Sequence, residues 1–318
     1  MNKNFKEILR KQHYALVGNH SAIQVCRWAK KSLIDDGECY KEKFYGIKSH
    51  LCCQCSPAVV WCQNKCLHCW RAIEYTLGEK IILELDDPKD IIDKLIEAQR
   101  KMLSGFKGNN KINMKKFKDA QNPKHFAISL SGEPTIYSKI GELIKELRKR
   151  KLTSFLVTNG LMPNRLMELG KKKQLPTQLY ISLNYPNEKI FREITRNKSK
   201  QAWKNFNKTL ELLPKLRTRK VLRMTLVKDL NMSNTDDYAK LILKASPDFV
   251  EVKGFMSVGF ARKRLDYERM PNEKEVKEFA KKLSEKLPGY EVLAEKKESR
   301  VVLIGKDKCK MKIKPSEI

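Results

Sequence analysis

The chain is predicted to be an α/β protein organised around a parallel β-sheet. Short runs rich in β-branched and aromatic residues alternate with amphipathic stretches of helical period, and this pattern occurs six times. Polar residues directly follow several of the runs, as in folds that bind ligands at strand ends. Six βα units with right-handed crossovers can close into a full or partial barrel, and we predict a partial (βα)6 barrel of the TIM type. A chain of 318 residues can bury such a core, in one large domain or two smaller ones.

Each predicted strand is a short run of β-branched or aromatic residues. In chain order the strands lie at residues 59–61, 126–130, 154–157, 178–183, 221–227 and 249–252. Each is followed by at least one stretch whose apolar residues recur at helical spacing. The predicted helices lie at residues 87–102, 140–147, from 163 onward, 188–194, 202–213, 238–243 and 273–287. Ser233 or Asn234 is expected to cap the helix at 238–243.

Three segments are expected along the chain. Residues 1–56 form an N-terminal extension that carries cysteines, residues 57–290 form the core barrel, and residues 291–318 form a C-terminal β-hairpin with a basic tail. The hairpin is predicted from two β-rich runs at residues 292–293 and 301–304.

The formal net charge is +29, and the basic residues are spread over the whole chain. A field of that size attracts polyanions, of which nucleic acid is the most plausible. A lysine-rich composition can also arise without any RNA partner. The charge therefore indicates a nucleic-acid partner only together with a second, independent observation. Residues 105–124, rich in Gly, Asn and Lys, are expected to form an exposed basic loop.

The cysteines and the N-terminal sequence indicate in which cellular compartment the protein works. No run approaches eighteen apolar residues, and residues 1–6 include no apolar signal-peptide core, so we expect a soluble cytoplasmic protein without a membrane partner. Nine cysteines, six of them within residues 52–69, do not resemble the disulfide framework of a secreted protein. They are more typical of metal ligands in a reducing compartment.

Cys62, Cys66 and Cys69 have a C-x3-C-x2-C spacing. Three thiolates at this spacing can bind a four-iron cluster and leave the fourth iron open to a substrate or cofactor. Two other interpretations exist. The same positions would share one face of a helix and pack as small apolar side chains, or they could bind a structural zinc, although only Cys66 and Cys69 form a C-x2-C pair.

Polar residues also follow the predicted second, third and fourth strands. Turn formation alone would explain any one of these segments. Because the carboxyl ends of parallel strands meet at one edge of a sheet, their coincidence predicts a binding site there. The segments are Ser131–Pro134, Thr158–Gly160 and Ser182–Asn184.

Together with the cysteine loop, these segments resemble the radical S-adenosylmethionine (SAM) superfamily. The resemblance implies a [4Fe–4S] cluster on the three cysteines, with SAM chelated to the open iron. It also implies that Gly132 and Glu133 meet the amino group of SAM, with Ser131 standing where the family usually has a first glycine. His68 is expected to cover the adenine, to donate to a cluster sulfur or to face solvent. Positions that commonly touch the adenosine or ribose are Thr158, Asn159, Ser182 and Asn184.

Cys26, Cys39 and Cys52 point to one family within this superfamily. With their contexts, and with residues 251–256 and 269–271, the chain from about residue 18 onward is similar to the shorter archaeal form of the 4-demethylwyosine synthases of wybutosine biosynthesis. The similarity implies that these three cysteines bind a second [4Fe–4S] cluster with an open iron. A neighbouring cysteine, Cys53 or Cys55, could replace Cys52, and Cys309 is expected to be an ordinary thiol.

The family is a set of radical SAM carbon–carbon lyases that act on tRNA. The resemblance implies that N1-methylguanosine, 3′ of the anticodon of tRNA-Phe, is condensed with two carbons of pyruvate to form the tricyclic base. It further implies an external flavodoxin- or ferredoxin-like electron donor. Lys41 matches a lysine proposed to form a Schiff base with pyruvate, and a purely electrostatic role or a surface position are the alternatives.

Two other functions are kept as alternatives: a radical SAM activase acting on a protein partner, and a non-catalytic, zinc-stabilised RNA-binding protein. If the substrate is tRNA, Trp70 or Phe255 could stack on the target base. The candidate phosphate contacts are Lys107, Lys111, Lys115, Lys116, Lys118, Arg262, Lys263 and Arg264.

Overall fold

A computed structural model describes residues 3–318, so Met1 and Asn2, the start of the predicted N-terminal extension, lie outside the described residues. The chain forms two compact units. The N-terminal unit contains the described residues up to 62 together with residues 77–157 and 312–318, and the C-terminal unit contains residues 63–76 and 158–311. These units do not follow the boundaries expected at 56/57 and 290/291.

The N-terminal unit has five strands in the spatial order β1 to β5. The first two are antiparallel to their neighbours, whereas the third, fourth and fifth run parallel. Their bounds are Ala15–Val17 (β1), Ser21–Gln24 (β2), Cys52–Ser56 (β3), His125–Ile128 (β4) and Thr153–Thr158 (β5).

The strand predicted at residues 59–61 is wrong, since the first parallel strand is β3. Val59 and Trp61 are buried, but their N–H groups bond to His20 O and Ala58 O, outside any strand pairing. The side chains of residues 59–61 are therefore buried in the core, although their backbone does not belong to a strand. The true strand, rich in cysteine, lacks the β-branched residues that mark most strands.

Helices follow the strands of the N-terminal unit. Asp87 caps the fourth helix by accepting from the N–H of Lys89 at 2.9 Å, and Pro88 occupies its first turn. A short helix also forms inside the predicted basic loop, because the side chain of Asn113 accepts from the N–H of Lys116 at 3.1 Å. The helices are Lys3–Lys11 (α1), Arg27–Leu33 (α2), Tyr40–Tyr45 (α3), Pro88–Leu103 (α4), Met114–Ala120 (α5) and Ile140–Lys149 (α6).

The C-terminal unit also has five strands. Three run parallel in the order β6, β7, β8, and a hairpin follows in which β10 pairs antiparallel with both β8 and β9. This confirms the predicted hairpin and shows that it continues the sheet of this unit. The strands are Gln178–Ser182 (β6), Arg219–Leu226 (β7), Phe249–Gly254 (β8), Glu291–Lys296 (β9) and Val301–Gly305 (β10).

Five helices belong to the same unit. Asn234 directly precedes the fourth of them, but its backbone is left-handed (φ 57°) and its side chain makes no capping bond, so the expected side-chain cap is absent at this described residue. A capping box between Asn272 and Glu275 starts the last helix. The helices are Pro163–Lys171 (α7), Glu188–Thr195 (α8), Ala202–Leu212 (α9), Thr235–Ala245 (α10) and Glu273–Ser284 (α11).

Both units combine parallel strands with helices, which confirms the predicted α/β class. Among residues 3–318, no helix has the length and apolar character that a membrane span requires. Closure of the strands into a partial barrel stays a prediction.

Candidate functional site

The cysteine loop begins in the N-terminal unit at Cys62. The N–H of Cys62 donates to Gly78 O at 2.9 Å, and the N–H of Leu77 donates to Val60 O at 2.8 Å. Main-chain hydrogen bonds at Val60 and Cys62 thus fix the segment that leads into the loop.

In the C-terminal unit the loop continues as irregular chain pinned to the end of α8. The N–H groups of Lys65 and Leu67 donate to Thr195 O and Ile194 O at 2.8 and 2.9 Å. A tight turn follows, in which the N–H of Cys69 donates to Cys66 O at 3.1 Å. Residues 62–69 form no helix in the described chain, so the interpretation as three cysteines on one helix face is wrong.

Arg264 holds this turn from the distant segment that follows β8. Its side chain is 6% exposed and donates to the carbonyls of Leu67 (3.2 Å), Cys69 and Arg71 (3.2 Å), while forming an ion pair with Glu74. The guanidinium is therefore committed to the loop, and the phosphate contact predicted for Arg264 is wrong.

Burial and the nearby positive charges act on the Cys69 thiol in opposite directions. Burial raises the pKa of the Cys69 thiol, whereas the N–H of Arg71 and the charges of Arg71 and Arg264 lower it. A thiol in this position can lose its proton to a bound metal more easily than burial alone would allow.

His68 lies inside the same turn and is neutral. Burial lowers its pKa to about 4, and the charge of Arg264 acts in the same direction. Its Nε2 lies 3.3 Å from the side-chain nitrogen of Asn184. Its Nδ1 is buried and has no hydrogen-bond partner within residues 3–318. A solvent-facing His68 is thus inconsistent with the structure.

The loop after β4 packs on the segment that enters the cysteine loop. Gly132 has φ +67°, and a Cβ on it would lie 1.8 Å from Ala58 O and 2.7 Å from Trp61 O. The next N–H, from Glu133, donates to Trp61 O at 2.7 Å, and the Ser56 hydroxyl donates to Ser131 O at 2.5 Å. Only glycine fits at position 132, whereas Ser131 is tolerated one residue earlier.

The Glu133 carboxylate is 2% exposed and points into this loop. Its Oε1 accepts from the N–H of Thr135 at 3.1 Å and from the Thr135 hydroxyl at 2.6 Å. A buried carboxylate with a fixed orientation is suited to receive an ammonium group.

The remaining predicted SAM positions lie at the carboxyl ends of β5 and β6. Thr158 accepts from the N–H of Gly160 at 3.1 Å, and Asn159 donates to the Gln63 side chain at 2.9 Å. Ser182 ends β6. Asn184 accepts from the N–H of Thr225 at 2.8 Å. In the C-terminal unit, Asn159 and Asn184 therefore contact the cysteine loop through Gln63 and His68.

The second predicted ligand set lies wholly in the N-terminal unit. Cys26 precedes α2 and its sulfur accepts from the N–H of Ala29 at 3.3 Å, Cys39 precedes α3, and Cys52 begins β3. Burial raises the pKa of the Cys52 thiol, the nearby Cys26 and Cys39 raise it further, and Lys41 opposes them. The fold therefore brings the three thiols and the Lys41 ammonium together.

Cys55 also raises the pKa of the Cys52 thiol, but Cys53 and Cys55 differ from Cys52 in their place on the strand. Successive side chains of a strand point to opposite faces, so Cys53 and Cys55 share the face of β3 that Cys52 does not use. Both are sealed, with 0% and 1% exposure. Burial raises the pKa of Cys53, and its hydrogen bond with Cys55 adds to this. The geometry favours Cys52 over either neighbour as a ligand.

Lys41 is not a surface lysine. It is 7% exposed, and its Nζ lies 4.5 Å from the centre of the Phe155 ring on β5. An amine held in this way can serve as a directed cation or as a nucleophile.

Across residues 3–318, no three His, Cys, Asp or Glu side chains are arranged to hold a single metal ion. A four-iron cluster does not need such convergence, because each thiolate binds a different iron. Within the C-terminal unit, the half-buried Cys69 and the buried Nδ1 of His68, which has no partner in the described chain, fit a group larger than one ion.

The predicted RNA contacts divide into two groups. Four lysines around α5 are exposed, whereas Lys116 pairs with Asp35 at 2.6 Å and Arg262 donates to Ser257 O at 2.9 Å. Phe255 is 1% exposed and cannot stack on a base, while Trp70 is half-buried beneath the guanidinium of Arg71. The exposed lysines around α5 are Lys107, Lys111, Lys115 and Lys118, and Lys263 after β8 is exposed as well.

The chain is similar to known protein families and to individual proteins. Residues 57–242 match the radical SAM superfamily, and residues 244–306 match a family described as wyosine base formation. The chain is 48% identical to the S-adenosyl-L-methionine-dependent tRNA 4-demethylwyosine synthase of Pyrococcus horikoshii, over 96% of this chain and 90% of that protein. The same enzyme of Methanocaldococcus jannaschii is 37% identical, with 96% of each chain covered.

A solved structure of TYW1 with a lysine-pyruvate adduct bound is also similar. It superimposes with a TM-score of 0.87 and 35% identity, over 99% of both chains. These similarities give no support to a protein-activating enzyme or to a non-catalytic zinc protein.

Proposed function

The chain belongs to the tRNA 4-demethylwyosine synthases of the radical SAM superfamily, and on that premise we propose that it condenses N1-methylguanosine of tRNA-Phe with two carbons of pyruvate. It is an enzyme that modifies tRNA and uses SAM with a [4Fe–4S] cluster. The observation that carries the pyruvate proposal is the assembly of Cys26, Cys39 and Cys52 around Lys41 in one compact unit.

Cys62, Cys66 and Cys69 would hold the cluster that binds SAM. When bound, that cluster supplies one electron to cleave SAM and so provides the radical that starts the reaction. The chain itself orients the loop, through the bonds of residues 65 and 67 to the end of α8 and through Arg264.

Five side chains and one glycine would bind SAM. The buried Glu133 carboxylate would accept hydrogen bonds from its ammonium group, and Gly132 keeps the surrounding loop closed on the chain before Cys62. The positions that would contact the adenosine are Thr158, Asn159, Ser182 and Asn184.

Cys26, Cys39 and Cys52 would hold a second [4Fe–4S] cluster. An open iron there would chelate the carboxylate of pyruvate and, until a Schiff base forms with loss of water, its carbonyl oxygen, and so hold the small substrate in place. The alternating directions of β3 support Cys52 as the third ligand, because Cys53 and Cys55 lie on the other face.

Lys41 would act on pyruvate as an amine. A similar TYW1 structure carries a lysine-pyruvate adduct. The nearness of Lys41 to Cys26 and Cys52, and its burial against Phe155, support this role. A Schiff base would hold pyruvate covalently near the methyl group that is to react.

The remaining parts of the proposal concern class and setting. Loss of the pyruvate carboxyl carbon would make the enzyme a carbon–carbon lyase. A flavodoxin- or ferredoxin-like protein would supply electrons. Nine cysteines, none of them in a disulfide within the described residues, support a reducing, cytoplasmic setting. The strands would close into a partial (βα)6 barrel.

The test is an anaerobic reaction with SAM, dithionite, pyruvate and tRNA that carries N1-methylguanosine, with the nucleoside product identified by mass. A product enlarged by two pyruvate carbons is expected. Borohydride should fix pyruvate to Lys41, and Lys41→Arg should abolish both the trapped adduct and the product. Lys43→Arg, on the exposed side of α3, is the matched control and should keep both. Formation of deoxyadenosine without a new base would retain radical chemistry and contradict the substrate.

A further inference from the structure

The side-chain amide of Asn184 has a single possible orientation. The N–H of Thr225 donates to its Oδ1 at 2.8 Å, and a main-chain N–H cannot reverse its polarity. Asn231 supports the same corner by donating to Asn184 O (2.8 Å) and Thr225 O (2.9 Å), and it accepts from the N–H of Val227 at 2.6 Å. Asn184 is 6% exposed, and all these groups lie within the C-terminal unit.

This orientation fixes the proton on His68. Because Oδ1 of Asn184 accepts, its Nδ2 must donate, and Nε2 of His68 at 3.3 Å must therefore be the acceptor. A protonated imidazolium would place two donors against each other, so the ring is neutral. The ring proton consequently resides on Nδ1.

The Nδ1–H of His68 is then a buried donor without a partner in the described chain. Buried donors are almost always paired in working proteins, because an unpaired one loses its bond to water and gains nothing. His68 lies between Cys66 and Cys69, so the acceptor belongs to what this turn binds.

We propose that His68 donates from Nδ1 to an acceptor atom of the bound cofactor assembly, and that Asn184 is the positioning residue that keeps the proton there. The acceptor chemistry has two sources, a sulfur of the cluster or a ring nitrogen of the SAM adenine. The inference rests on the proposed roles of Cys66 and Cys69 as cluster ligands.

The two sources predict different measurements on the reconstituted full-length protein. A hydrogen bond to a cluster sulfur stabilises the reduced cluster, so its loss lowers the reduction potential measured without SAM. A bond to the adenine leaves that potential unchanged and strengthens SAM binding, so its loss weakens SAM affinity by about threefold to tenfold.

His68→Leu removes the donor at similar bulk, and His68→Asn restores an N–H near the position of Nδ1. We expect His68→Leu to shift either the potential or the SAM affinity, and His68→Asn to recover most of the shift. Equal behaviour of the two variants, or no shift in either quantity, overturns the proposal.

A measurement on the unsubstituted enzyme avoids any dependence on how the variants fold. Histidine labelled with ¹⁵N at Nδ1 should show a magnetic coupling to the reduced cluster if a sulfur is the acceptor, and a change on SAM addition if the adenine is. His68→Asn assigns the signal among the five histidines. Absence of any coupling and of any SAM effect contradicts the proposal. Retention of iron after loss of Cys66 and Cys69 would instead contradict the underlying function.

Discussion

The guanidinium of Arg264 donates to the main-chain carbonyl of Cys69, although 195 positions separate the two residues. The same group serves the carbonyls of Leu67 and Arg71, so one side chain satisfies three acceptors of the cysteine turn. The conformation of that turn therefore depends on a residue of the segment after β8. The family match for wyosine base formation includes this segment, whereas the superfamily match ends before it.

Arg264→Lys should weaken the hold on the cluster while keeping a positive charge. The ammonium of lysine lacks the planar set of N–H donors with which the guanidinium reaches several carbonyls at once. Each buried carbonyl left without a hydrogen bond costs about 1–3 kcal/mol of stability. We expect iron to be lost to a chelator severalfold faster, followed by the decay of cluster absorbance. Arg262→Lys is the matched control, since Arg262 donates to the Ser257 carbonyl outside the turn. Equal chelation rates in the two variants would rule out the role of Arg264.

Gly132→Ala should damage the SAM site. A left-handed alanine costs about 1–2 kcal/mol by itself, and the overlap with Ala58 O must also push the loop away from the chain before Cys62. Gly78→Ala isolates the first cost, because Gly78 has φ +97° but nothing within 4 Å of an added Cβ. SAM affinity by calorimetry should fall at least tenfold for Gly132→Ala and stay near normal for Gly78→Ala. Similar affinities would contradict this.

The cysteines of β3 should differ sharply in iron binding. Cys52→Ala is expected to lower the iron content from about eight to about four atoms per chain, because one of the two proposed clusters would lose a ligand. Cys53→Ala and Cys55→Ala should keep the iron and cost about 1–2 kcal/mol of unfolding free energy as small core cavities. Iron analysis and thermal unfolding check this. Full iron in Cys52→Ala would show that another residue serves as the ligand.

The exposed lysines around α5 should act through phosphate charge. Replacing Lys107, Lys111, Lys115 and Lys118 by Gln is expected to weaken tRNA binding and to reduce its dependence on salt, by about 0.7–0.9 log units of slope for each phosphate that is no longer neutralised. The matched control replaces four exposed lysines of α11: Lys274, Lys277, Lys281 and Lys282. Binding measured across a salt series should separate the two sets. An equal decrease of slope in both would mean that only the overall charge matters.

The sequence predicts the strands and helices well where their apolar period is regular, as in α4, α6 and the hairpin of β9 and β10. It fails at residues 59–61, because a buried turn and a strand can carry the same apolar side chains. It also fails at α5, where Gly and Asn obscure a helix that a single asparagine cap starts.

In the candidate site, too, the sequence predicts some residues and misses others. Spacing and position are enough to predict roles for the cysteines, Gly132 and Glu133, because the signal for each lies in its own short segment. Arg264 and the contact of Asn184 with His68 have no local signal, since each depends on residues brought together by the fold. The burial of Phe255 likewise depends on packing that no single segment reveals.

The alternation of side chains along β3 has a consequence for the maturation of the protein. A slip of one residue in the pairing of this strand with β4 would turn Cys52 inward and present Cys53 in its place. With the proposed ligand set, correct strand alignment must therefore precede, or accompany, insertion of iron into the N-terminal unit. Folding errors in this strand would yield a chain that carries the right number of thiols yet remains metal-deficient.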